Sequence, residues 1–151
     1  MIGTAGEPRC FLGGDGRTIT TVWPVRVDEV VKGSAGVGDQ ILIHTLGGRV
    51  VFQGGSFAEL QVQETEPLKR NSKYALFLIP SRLSKPPSEA WPPSWPTDIL
   101  GLTFGPYSAF ELRDDGRVWP TLIKVSGNFG VATEYRGVEA AKFLAALRAL
   151  K

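Results

Sequence analysis

One histidine, His44, and one cysteine, Cys10, are the only imidazole and thiol in the chain, so chemistry needing either group must pass through those positions. His44 lies in the run Ile41-Leu42-Ile43-His44-Thr45-Leu46, with Leu42 and Leu46 on its own parity. A general base needs an open cleft and an orienting partner, and an imidazole between two leucines reads as a structural residue. A cleft that held His44 beside a carboxylate would reverse that reading. Two carboxylate pairs are adjacent, Asp28-Glu29 and Asp114-Asp115. Neighbours on a strand point to opposite faces, and Asp114-Asp115-Gly116 is turn chemistry, so neither pair offers the two carboxylates in one cleft that glycoside hydrolysis requires. Cys10, beside Phe11 and Leu12, reads as a small buried hydrophobe; if exposed it would be open to intermolecular pairing.

The remaining catalytic patterns are missing from the sequence. There is no His-Glu-x-x-His helix, Cys-x-x-Cys pair or calcium loop, so no metal ligands are assigned and no cofactor is expected. Neither Gly-x-Ser-x-Gly nor Ser-x-x-Lys occurs, which removes the common hydrolase elbows and leaves no residue assigned as catalytic. Gly33-Ser34-Ala35-Gly36-Val37-Gly38 lacks both the dinucleotide spacing and a following Lys-Ser or Lys-Thr, and reads as a turn.

What resists a purely structural reading is a loop rich in proline and tryptophan. The segment 80–96 holds six of the chain's 11 prolines, too many for a helix or an interior strand, and it carries Trp91 and Trp95. Two outcomes are open: the indoles fold back as a lid, or they form an aromatic platform for a protein chain, a glycan or a membrane interface. Together with Tyr107 they are the candidate binding residues. Pro93-Ser94-Trp95-Pro96 has the form of a Pro-x-x-Pro ligand but lacks a flanking arginine.

The elements that must position these residues are short strands punctuated by glycine. The spacing predicts a first strand over Ile2–Leu12, interrupted at Pro8, and a turn at Gly13-Gly14-Asp15-Gly16. A long strand follows over Arg17–Val31, with Ile19, Trp23, Val25, Val27 and Val31 on one parity and Pro24 marking an edge or bulge. Further strands are expected over Gln40–Leu46, Arg49–Gln53, Phe57–Gln63 and Lys73–Ile79, the last apolar on both parities. A hairpin over Tyr107–Arg113 and Arg117–Val125 is closed by Asp114-Asp115-Gly116. Val138–Leu150 has helical spacing at Ala140, Ala141, Leu144, Leu147 and Leu150. Such close spacing favours hairpins over helical crossovers. It predicts an all-β domain with one C-terminal helix, five to seven strands curled into an OB-like, partly open antiparallel β-barrel with a long Pro/Trp-rich loop at 80–98. Leu76, Phe77, Leu78, Val25, Val27, Ile41, Ile43, Phe110 and Leu144 are the expected core.

Size and charge agree with one domain over 1–151. At 151 residues and 42% apolar content the chain can bury a full core. The 17 basic and 15 acidic residues are scattered, and the densest basic run is Lys69, Arg70 and Lys73, which argues against nucleic acid as a partner. No apolar run reaches the roughly 20 residues of a membrane helix, and no charged-then-apolar leader stands before Ile2.

The stretch Thr20-Thr21-Val22-Trp23-Pro24-Val25-Arg26-Val27-Asp28-Glu29-Val30-Val31-Lys32-Gly33, a following Gly47-Gly48, then Lys73-Tyr74-Ala75-Leu76-Phe77-Leu78, a hairpin and a short final helix form a recognisable order. It resembles a family of mostly exported bacterial β-barrel domains with no assigned activity, and is distantly similar to the netrin-like modules of metalloproteinase inhibitors. The resemblance implies a small barrel and an extracytoplasmic setting, periplasmic or secreted, the leader having been lost ahead of Met1. The chain departs from the inhibitor pattern, which acts through an N-terminal cysteine ridge and several disulfides, because Cys10 is alone. Two functions follow as expectations. The first is a non-enzymatic binding or assembly module that contacts a protein partner, a larger assembly or a glycan through the Pro/Trp-rich loop. The alternatives are a hydrolase built from His44 and unpatterned carboxylates, or an inhibitor of an extracellular enzyme.

Overall fold

The computed structural model describes residues 1–63, 65–81, 91–96, 98–106, 108–121 and 134–149, with backbone alone at 104–106. The strands are β1 (Ile2–Ala5), β2 (Arg9–Leu12), β3 (Ile19–Glu29), β4 (Gln40–Leu46), β5 (Gly48–Val51), β6 (Phe57–Leu60), β7 (Lys73–Leu76), β8 (Leu78–Pro80), β9 (Ile99–Pro106), β10 (Ala109–Leu112) and β11 (Val118–Pro120). A helix, α1 (Ala140–Ala149), follows them. The main sheet runs β11-β10-β7-β1-β3-β4-β9-β8 with β2 on β3, while β5 and β6 form a separate ribbon. Every pairing in it is antiparallel except β4 with β9.

β7 and β8 stand far apart along that path, yet they are consecutive parts of one run broken only at Phe77. The sheet therefore curls until its path returns to the same stretch of chain, giving the expected mostly-β, OB-like half-barrel. At Phe77 the run changes neighbours: its N–H donates to the Ser108 carbonyl at 2.9 Å, and its carbonyl accepts from the Thr103 N–H at 3.0 Å. More strands form than expected, because the first splits at Gly6-Glu7-Pro8, the Lys73–Ile79 run splits at Phe77, and β9 follows the proline-rich segment unannounced.

Pro24 corrects the expectation of an edge or bulge, since β3 is central, with β4 along one side and β1 and β2 sharing the other. A proline is tolerated there because its missing N–H faces the break between β1 and β2, where its carbonyl accepts from the Gly6 N–H at 2.7 Å. The β2–β3 turn is held by Asp15. Hydrogen bonds from the Thr18 hydroxyl, then from the Thr18 and Arg17 amides, hold its carboxyl down at about 2.

Two apolar clusters lie on opposite faces of the curled sheet. Inside are Ala5, Trp23, Val25, Ile43, Leu68, Tyr74, Leu76 and Ala109, with Ile41, Leu78 and Leu102 half-buried at its margin. The Trp23 indole donates to the Thr45 hydroxyl at 3.2 Å and the Tyr74 hydroxyl accepts from the Lys69 amide at 2.7 Å, so both polar tips are satisfied. Outside, Ala75, Phe110 and Val118 are covered by Phe143 of α1, with Leu144 and Leu147 beside them. Of the expected helical face, Ala141 is exposed, and Phe143, not among the predicted core residues, is the buried side chain of α1. Phe77 is a second correction. It lies on the same outer face as Ala75, one step past the helix, and remains 40% exposed while its ring meets Phe110 edge-on at 6.0 Å.

The adjacent carboxylates diverge as alternation requires. Asp28 meets the Thr4 hydroxyl at 2.6 Å and Lys73 at 3.7 Å, while Glu29 is held by Arg148 near the end of α1. Among the described residues no helix is long and apolar enough to cross a membrane.

Candidate functional site

The two tryptophans meet each other and β2. Proline restricts the backbone around them, and a turn in which the Trp95 N–H donates to the Pro92 carbonyl at 3.0 Å brings the indoles together. Their rings stand edge to face at 5.3 Å and 88°. Trp91 also stacks on Phe11 at 5.9 Å and 30°, and its Nε1–H donates to the Pro96 carbonyl at 3.3 Å. The Arg9 guanidinium lies 5.9 Å from the centre of the Trp95 ring. Arg9 and Phe11 share one face of β2 by strand alternation, which is why both reach the same pair of rings. Both indoles are half-buried. The shelf thus joins an apolar surface, a cation and an indole edge already fixed by a hydrogen bond, a combination suited to sugar rings, proline or an aliphatic side chain.

Tyr107, the third candidate, lies outside the described residues. Sequence reasoning missed Phe11 and Arg9, although their shared parity on an expected strand was a usable signal.

A second feature lies at the end of the half-barrel beneath the β5–β6 ribbon. A groove of about 640 Å³ is lined by residues that include His44, Thr21, Glu59, Glu66, Leu60 and Leu102. Gly47 and Gly48, at φ 94° and 130°, let the chain turn from β4 into β5 over Cys10 and Thr21. A Cβ on Gly48 would collide with the Thr21 Oγ1 and sit 2.7 Å from the Cys10 Sγ. Cys10 is half-buried there, its Sγ 3.3 Å from the Thr21 hydroxyl, which donates to the Gly47 carbonyl.

His44 is half-buried opposite Val22 and beside Gly101, whose missing side chain leaves room for the imidazole; a Cβ there would lie 3.0 Å from Nε2. Burial pushes the imidazole below its ordinary value, so the ring is neutral near pH 7. His44 has no hydrogen-bond or ion-pair partner among the described residues. The groove's carboxylates are engaged elsewhere: Glu59 accepts from Gln61 Nε2 at 3.0 Å, and Glu66 pairs with Lys69 at 3.3 Å. So the structure brings His44 and two carboxylates to one groove without joining them as base and orienting partner. Among the described residues no group of three or more histidine, cysteine or acidic side chains is placed to hold a metal ion.

Lys69 also reaches Glu111 at 3.1 Å, and Arg113 meets Glu111 at 3.0 Å. Burial opposes ionisation of Glu111, but the bonds from Arg113 and Lys69 prevail and hold its carboxyl below the usual range. The same contact to Glu111 raises Lys69, so the two partners shift as a pair should. The chain matches no protein-family model, no curated protein and no solved structure.

Proposed function

We propose that this domain is a non-enzymatic, extracytoplasmic binding or assembly module that holds a protein chain or a glycan against the Trp91–Trp95 shelf. The observation that carries this reading is the fixed edge-to-face indole pair, anchored on Phe11 and beside Arg9. A surface ordered before its partner arrives loses little conformational entropy on docking, and half-exposed tryptophan is the residue type that dominates binding energy when covered. In OB-like barrels the loops beside the strand ends are the usual binding elements, and the shelf sits on the connection between β8 and β9. The extracytoplasmic setting rests on the resemblance to exported barrel domains.

Trp91→Ala with Trp95→Ala tests the reading at matched fold. Circular dichroism should keep its β signature, while binding to a partner copurified from the source, or to a glycan found on an array, weakens by about 2 kcal/mol or more. Unchanged binding would rule out the shelf; unfolding would identify the indoles as a lid over β2.

A hydrolase is the second reading, and the shared groove of His44, Glu59 and Glu66 favours it. Turnover of ester, peptide or glycoside substrates that disappears in His44→Gln would establish it over the first.

A further inference from the structure

The β5–β6 ribbon has two faces of opposite character. Its strands pair with each other and not with the main sheet, with Arg49 opposite Glu59 and Val51 opposite Phe57. By alternation Val50, Ala58 and Leu60 turn inward and are half-buried, Leu60 lining the groove that His44 shares. Arg49, Val51, Phe57 and Glu59 turn outward, away from the groove, and all four are exposed. Val51 is 66% and Phe57 53% exposed there, although both are large and apolar. A two-stranded ribbon is marginal in water by itself, and apolar side chains on its open face mark a surface suited to a neighbour.

The two charges on this face do not satisfy each other. Arg49 and Glu59 are cross-strand neighbours, yet the guanidinium lies against the Phe57 ring, 3.6 Å from its centre, and the Glu59 carboxylate accepts from the neutral Gln61 amide at 3.0 Å. Neither has an ion-pair partner among the described residues. The face thus carries an apolar row, Val51 with Phe57, next to a row of opposite charges, Arg49 with Glu59. A two-fold axis running along the ribbon, in the plane of contact, sets each residue over its own cross-strand neighbour in a second copy. Val51 then meets the partner's Phe57 and Arg49 meets the partner's Glu59, each contact being made twice. An axis across the ribbon sets like charges together, or a charge against an apolar side chain, and both are costly.

We propose that this domain forms a weak two-fold dimer with a second copy of itself through the outer faces of the β5–β6 ribbons, with the ribbons parallel and the two barrels on opposite sides of the contact. The apolar row supplies burial and the charged row fixes the axis. Four side chains from each copy cover far less than the roughly 1,200 Å² of a stable interface, so the dissociation constant is on the order of 100 μM. The Arg49 guanidinium is already held against Phe57, which limits the side-chain freedom lost when the partner's Glu59 arrives. This surface is separate from the tryptophan shelf, and its test does not depend on that site.

Analytical ultracentrifugation of the protein from about 10 μM to 1 mM, a range that brackets that constant, measures the association. Arg49→Glu and Glu59→Arg each bring like charges face to face, and each should weaken the dimer by roughly tenfold or more with circular dichroism unchanged. An equal mixture of the two variants reverses the loss. One chain then carries glutamate at both positions and the other arginine at both, so every charge meets its opposite, and the mixed dimer should regain at least the original affinity. Arg49→Glu combined with Glu59→Arg in one chain should dimerise as the original sequence does. A protein that stays monomeric over the whole range would overturn the proposal, as would a dimer indifferent to both single reversals. So would a mixture that associates no more tightly than its components, because the contact would then lie elsewhere or obey a different axis.

Discussion

Phe143→Ala tests the reasoning about how α1 is held. Phe143 is 3% exposed and is the buried side chain of the helix; its ring lies 5.2 Å from Phe110 and 5.1 Å from Tyr135, over Ala75 and Val118. Removing a buried phenylalanine costs about 3–5 kcal/mol through lost transfer energy and the cavity left behind. For a domain of this size each kcal/mol shifts the thermal midpoint by roughly 2–4 °C, so the midpoint should fall by roughly 6–20 °C. Phe77→Ala is the internal control. That ring is 40% exposed and keeps one edge-on contact to Phe110, so its loss should cost about 1–2 kcal/mol. Both variants are followed by circular dichroism during thermal unfolding, with urea titration giving the free energy. Equal midpoint losses, or a larger loss for Phe77→Ala, would refute the assignment of Phe143 as the anchor and Phe77 as the rim.

Three further outcomes follow from the geometry. The folded imidazole of His44 lies below its ordinary value of 6.5 because burial disfavours the cation, so as pH falls the unfolded chain binds the proton first. Stability should be full above pH 6.5 and decline below it, and urea titrations across this range should lose that decline in His44→Gln. Glu111 is also held below its ordinary 4.5, so its contribution is present above that pH and disappears as pH falls through the lower folded value; Glu111→Gln should flatten the acid limb of stability measured from pH 5 downward. Gly48→Ala forces a side chain onto a φ of 130° and against Thr21 and Cys10, and should cost about 1–3 kcal/mol by urea unfolding, with faster modification of the Cys10 thiol.

Parity and turn chemistry carried much of this fold in the sequence. Gln40–Leu46 reads as a strand by its own composition and is one; Asp114-Asp115-Gly116 reads as a turn and is one, with Gly116 at φ 75° and the Asp115 carboxylate accepting from the Arg117 amide at 2.9 Å. β9 was illegible because Gly101, Gly105 and Pro106 punctuate it like a loop. Gly101 is there to make room for His44, a constraint that no local pattern reports. Phe77 misled for a related reason. The run Lys73–Ile79 is apolar on both parities, which promises two covered faces, but α1 is short and covers the outer face only as far as Ala75. At the shelf, tryptophan and proline composition pointed to the right loop. The partners Arg9 and Phe11 lie some eighty residues away; their shared parity put them on one face of an expected strand, but only the folded sheet brings that face to the indoles.

The parallel pairing of β4 with β9 sets the order in which the chain can fold. Leu42 meets Ile99 and His44 meets Gly101, contacts nearly sixty residues apart in sequence, whereas β2 with β3 and β10 with β11 close over short turns. Long loops close late because their entropy must be surrendered before any contact rewards it. The local hairpins therefore form first, and the curl is completed when β9 arrives between β4 and β8. Until then β4 presents an open edge bearing Leu42, and during synthesis that edge waits for the segment after the prolines to emerge. The vulnerable stage in the life of this domain is that interval, when one edge of an apolar strand is open and its second neighbour has yet to be made.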